Sequence, residues 1–241
     1  MLIVILANII VGGLVGLTGI AGFLLPMLYV SMGYNVYEAL ALSFSAFLIS
    51  GLIGSINYYR HKQLNIFFGL KLGIGSFLGA CLGVYLNSMI DESIIKICLY
   101  LVVLFSGISI LLRKDKEKKK DKEPSLFSIL LIGFTTAVVC ALSGAGGPIL
   151  VMPLLVVLGV NIKEAIALAL FDSIFIAVPS AVGYFSSSYS SSLLNILFIS
   201  LAAHGAGVFF GSKYSVKVNH TIIKYSVAVI SIIVALYKLF G

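Results

Sequence analysis

Charge is what this chain has least of: only 10% of its 241 residues are Asp, Glu, Lys or Arg. Soluble domains carry about 25%. With 60% hydrophobic residues, a water-soluble globule is excluded, because its surface would be one continuous sticky patch. Tryptophan is absent, so the 12 Tyr and 16 Phe must supply any aromatic belt at a membrane interface. The three cysteines, Cys81, Cys98 and Cys140, form no Cys-x-x-Cys pair. That argues against a disulfide framework or zinc site and leaves them as expected small core hydrophobes. The glycine clusters lack the Lys-Ser/Thr of a phosphate-binding loop, so no nucleotide or other cofactor is expected. The opening MLIVILANII has no basic stretch or small-residue cleavage site, and is expected to be a first membrane segment rather than a signal peptide.

What charge there is gathers most densely in one place. RKDKEKKKDKE, Arg113–Glu123, holds seven of the 16 basic and four of the nine acidic residues. Nucleic-acid binding would need basic residues interleaved with aromatics on a folded surface. This run is instead a solvated connector, so no nucleic-acid partner is expected. Around it, apolar segments alternate with polar or Gly/Pro breaks. They run at about Leu2–Leu17, Phe23–Met32, Val36–Tyr59, Ile66–Leu86 and Ile94–Leu112 before the connector. After it come Leu126–Leu142, Ile149–Leu158, Ile162–Phe185, Leu193–Gly211 and Ile222–Leu239. Most approach the ~20 residues that cross a bilayer; the second of each set of five is too short.

The two sets are repeats. A shift of 126 lays Gly33–Leu42 (GYNVYEALAL) on Gly159–Leu168 (GVNIKEAIAL) with six of ten positions identical, and Pro26 and Pro153 follow the two glycine breaks. Equivalent loops carry opposite charge. Arg60-His61-Lys62 corresponds to the uncharged Ser186–Ser192, and Asp91-Glu92 to a loop with Lys213, Lys217 and Lys224. By the positive-inside rule these loops lie on opposite faces, which predicts an inverted repeat. The expected fold is an all-α polytopic membrane protein with two inverted repeats of about five segments, each opening on a Gly-broken helix pair. Residues 1–112 form the first repeat, 113–124 a cytoplasmic linker and 125–241 the second; both termini are expected outside.

GLTGIAGFLLPMLYVSMGYNVYEALALSFS with INYYRHKQLN, repeated as ALSGAGGPILVMPLLVVLGVNIKEAIALALFDS with VGYF, resembles the sulfite exporter TauE/SafE family of bacterial and archaeal permeases. The resemblance spans nearly the whole chain. It implies a multi-pass protein of a prokaryotic plasma membrane that moves sulfite, sulfonates or related small anions without ATP. The first break, Gly19-Ile20-Ala21-Gly22, lacks the three adjacent glycines common in the family.

Broken helices leave backbone N–H groups that must be satisfied within the membrane. Two helix N-termini facing one cavity would hold an oxyanion without Arg or Lys. The residues expected to bind the anion are Thr18, Gly19 and Gly22 in the first break and Ser143, Gly144, Gly146, Gly147 and Pro148 in the second. Ser43 and Ser173 sit on the helices that follow. The same glycines could serve only turns and tight packing. Asp172 and His204 each stand 16 residues from Ser188. An antiparallel hairpin would bring them to one depth, roughly 18–24 Å from its turn, as a proton-coupling pair. The plainer reading is a structural hydrogen bond. Lys71 is expected to snorkel, Glu38 and Glu164 to cap helices, and Gly75-x3-Gly79-x3-Gly83 and Gly207-x3-Gly211 to pack helices within the protein or in a homodimer. The expected partners are a small anion, protons and lipid. The rival readings are a passive anion channel, a scaffold, or an intramembrane protease using Ser143 and His204.

Overall fold

The computed structural model describes residues 1–19, 21–112, 125–146, 148–188, 191–214 and 220–240. The connector 113–124, Gly147 and Lys217 therefore lie outside the described residues. The ten helices are α1 (Leu2–Thr18), α2 (Leu24–Ser31, entered through a 3-10 turn at Ala21–Phe23), α3 (Val36–Arg60), α4 (Ile66–Asn87), α5 (Glu92–Leu112), α6 (Leu126–Ser143), α7 (Pro148–Val157), α8 (Ile162–Ser188), α9 (Ser191–Tyr214) and α10 (His220–Phe240). Among the described residues there is no strand.

Short polar side chains start these helices. Asn35 accepts the Glu38 N–H at 2.9 Å while its own N–H donates to the Glu38 carboxylate at 3.1 Å, a reciprocal cap on α3. Asn65 and Ser125 cap α4 and α6 by accepting the Phe68 and Ser128 N–H groups, without the return bond. α3, α4, α6, α8 and α9 are each long and apolar enough to cross a membrane. Large apolar side chains such as Phe67 (80% exposed) and Phe198 (69% exposed) cover the outer surface, as lipid contact requires. Lys71 is exposed on α4. Cys81 corrects an expectation: it lies on the exposed face of α4, whereas Cys140 is buried.

α3 and α8 cross at the centre. α4 lies between α6 and α8, α9 between α1 and α3, and α5 pairs with α10. The glycine ridges make these pairs close. Gly75, Gly79 and Gly83 press on the backbone of Leu130, Phe134 and Val138, in that order, so α4 and α6 run parallel. Gly12 and Gly16 press on His204 and Val208, and α1 therefore runs parallel to α9. Gly51 meets Ser173 and Gly54 meets Leu170, the reverse order, so α3 and α8 are antiparallel. A β-carbon at Gly79 would land on the Phe134 carbonyl oxygen, and overpacking typically costs 1–3 kcal/mol. Gly79→Val should therefore lower the thermal unfolding midpoint in detergent by several degrees, whereas Leu78→Val on the exposed face should leave it within a degree.

Candidate functional site at the two helix breaks

Each broken pair turns by the same device. α1 ends at Gly19 (φ 71°), whose N–H donates to the Val15 carbonyl at 2.7 Å; α6 ends at Gly144 (φ 75°), whose N–H donates to Cys140 at 2.8 Å. This left-handed conformation suits glycine. Gly19 then rests on Ile166 and Gly144 on Leu40, which are themselves equivalent positions of the two repeats. From these caps the chain reaches Gly22 in one break and Gly146 in the other before α2 and α7 begin.

The two breaks meet around one aromatic ring. A β-carbon at Gly22 would lie 2.9 Å from one edge of Phe47, and a β-carbon at Gly146 would lie 3.2 Å from its opposite edge. Beside this ring is a small cavity of about 10 Å³, lined by Gly19 and Gly22 from the first break, Ala145, Gly146, Pro148 and Ile149 from the second, and Val15, Phe47, Ser50 and Ser173. That is space for about one water molecule. Pro148 opens α7, where a missing N–H is no loss. Residues of both breaks thus line one cavity.

Other expected residues lie elsewhere. The Thr18 hydroxyl donates to Leu14 and the Ser143 hydroxyl to Val139, both at 2.7 Å within their own helices, and neither lines the cavity. Ser43 is buried away from it, its hydroxyl without a hydrogen-bond partner among the described residues. Ser173 does line it, and its hydroxyl donates to Leu170 at 2.7 Å.

Asp172 and His204 are both fully buried but do not bond one another. The helices that carry them share α3 as a neighbour. His204 Nε2 is 2.6 Å from the Ser50 hydroxyl on α3, which puts it directly behind the cavity wall. Asp172 lies beside Cys140 of α6 and Ser76 of α4, whose hydroxyl stands next to the carboxyl without a close hydrogen bond to it. Ser143 and His204, each with its own partner, form no nucleophile–base pair.

Sequence reasoning missed Ser50, Ser76 and Phe47. Ser76 had a signal: the shift of 128 that aligns Gly83 with Gly211 also aligns Ser76 with His204. It missed Asn8 as well, a fully buried amide that donates to the buried Tyr29 hydroxyl at 2.8 Å, on the α1 side of His204.

Residues 1–238 match the family described as sulfite exporter TauE/SafE. Among curated relatives, the "probable membrane transporter protein YdhB" of Bacillus subtilis is 23% identical over 247 residues, covering 99% of this chain and 100% of the relative. The "probable membrane transporter protein MJ0441" of Methanocaldococcus jannaschii is 24% identical, covering 91% of this chain and 86% of its own. A "probable membrane transporter protein" of Haemophilus influenzae is 27% identical over 80% of this chain. No solved structure matches significantly.

Proposed function

Because the chain belongs to the sulfite exporter TauE/SafE family and is a membrane transporter, we propose that it is a proton-coupled secondary permease for small sulfur-containing or organic anions, working by alternating access in a prokaryotic plasma membrane. One observation carries this reading: the start of α7 and the turn that leads into α2 reach the same small cavity from the two repeats. A helix N-terminus carries about half a positive charge, so the pair would attract an oxyanion without the cost of a buried Arg or Lys.

The packing also supports an inverted repeat. Exchanging α1–α5 with α6–α10 maps each close pair onto another: α4 with α6 becomes α9 with α1, and α4 with α8 becomes α9 with α3. α3 and α8 exchange with each other, and they are antiparallel. Lys62 and Lys163 line one surface pocket and so share an end of the bundle; that end is cytoplasmic by the positive-inside rule. Single cysteines in a cysteine-free background should then be labelled from outside at Ser187 and from inside only at Lys62. The reverse pattern would overturn the orientation.

Asp172 and His204 supply the coupling. An unpaired charge at this depth is expensive, and a carboxyl that has the Ser76 hydroxyl but no cation beside it among the described residues is suited to taking and releasing a proton. The direct test is flux of sulfite, thiosulfate, ethanesulfonate and acetate in proteoliposomes with and without an imposed pH gradient. The reading expects saturable flux of at least one sulfur oxyanion, accelerated by the gradient. Unsaturable flux indifferent to it would indicate a channel.

A further inference from the structure

The ring of Phe47 is the part of the cavity that the repeat does not explain. Its equivalent on α8, at the shift of 126, is Ser173, and both residues line the cavity. The same pseudo-symmetry that pairs Gly19 with Gly144 therefore puts a small hydroxyl on one wall and a phenyl ring on the other. The ring fills the gap between the two breaks, with one edge against Gly22 and the other against Gly146. It is 3% exposed, and the space left beside it is about 10 Å³, too little for any oxyanion. An anion bound between the half-helix starts must occupy space that this ring now takes.

Phe47 is also the last member of an aromatic column. It meets Phe44 edge to face at 5.5 Å; Phe44 stacks on Tyr184 at 5.7 Å; and Tyr184 approaches Tyr37 at 6.5 Å, near the start of α3. The Tyr184 hydroxyl donates to the Ala141 carbonyl at 2.7 Å, which ties the column to α6. The equivalents of Tyr37, Phe44 and Phe47 are Lys163, Leu170 and Ser173. The column therefore runs from the cavity toward one end of the bundle only, and on the other side it is replaced by aliphatic and polar residues.

We propose that Phe47 is the specificity-determining residue of the anion site: its ring seals the cavity toward the Tyr37 end and, when displaced, admits compact oxyanions of sulfite size while rejecting organosulfonates. This rests on the site reading given above. The ring rejects an added alkyl group because an apolar wall leaves no room for it, and discrimination of this kind reaches about 10–200-fold.

The test compares sulfite with ethanesulfonate flux in proteoliposomes for wild type, Phe47→Leu and Phe47→Ala, with thermal midpoints recorded for each. The ratio of sulfite to ethanesulfonate rates should fall about tenfold or more in Phe47→Ala and by less in Phe47→Leu. If Phe47→Ala does not fold, Phe47→Leu carries the comparison with the same sign. A ratio within twofold of wild type in folded variants overturns the proposal. Gly146→Val, run alongside, separates two failures. If it stops sulfite flux while the Phe47 variants leave the ratio unchanged, the site stands and Phe47 does not set its selectivity. If Gly146→Val transports normally, the site reading has failed and the proposal fails with it.

Discussion

Gly146→Val should stop anion flux while leaving the protein inserted in the membrane. Gly146 has φ 73°, and a residue with a β-carbon pays about 1–2 kcal/mol there. Its β-carbon would lie 3.2 Å from the Phe47 ring, and the two further methyls would enter a cavity that holds about one water. At about 1.4 kcal/mol per factor of ten, strain and filling together should lower flux by more than tenfold. Gly22→Val separates the two causes. Gly22 is not among the positive-φ glycines, so valine there acts only by filling space, its β-carbon 2.9 Å from the opposite edge of the same ring. Both variants should lose flux, and both should reach the membrane in wild-type amount, as quantitative blotting of the membrane fraction would show. Loss in Gly146→Val alone would assign the effect to strain.

Asp172→Asn should abolish the response of flux to an imposed pH gradient while preserving exchange of anion for anion. Asparagine keeps the shape of aspartate and its place beside the Ser76 hydroxyl but cannot carry a titrating proton. Its stability cost should therefore be small. With one proton per monovalent anion, each pH unit drives about tenfold accumulation, the equivalent of about 1.4 kcal/mol; the variant should show none. His204→Gln keeps a hydrogen-bonding group beside Ser50 but removes the titrating ring, so pH sensitivity should fall there as well. Wild-type pH dependence in both variants would place the coupling elsewhere.

Helix boundaries were legible because the chain punctuates itself. Asn35, Asn65 and Ser125 cap helices, Gly19 and Gly144 end them, and every apolar segment lies within about three residues of a helix in the structure. The convergence of the two breaks was legible from their recurrence. Which apolar residues face lipid was not: lipid is as apolar as a protein core, so Cys81 reads the same from sequence as Cys140. The hydroxyls of Thr18 and Ser143 stood at matching places but bond carbonyls one turn back, an option open to Ser and Thr in any helix. α8 and α9, consecutive in sequence, each pack on α3, and Asp172 and His204 make no direct hydrogen bond, which their equal spacing from Ser188 does not reveal. Phe47 carried no signal at all, since a phenylalanine in an apolar helix is ordinary until the backbone brings two glycines to its edges.

That the two breaks form one anion site, rather than one site each, is tested most directly by calorimetric titration of sulfite into the purified protein in lipid nanodiscs. Wild type should bind one sulfite per chain, and Gly22→Val and Gly146→Val should each abolish binding completely. Two sulfites per chain, with each substitution removing one, would contradict the shared site.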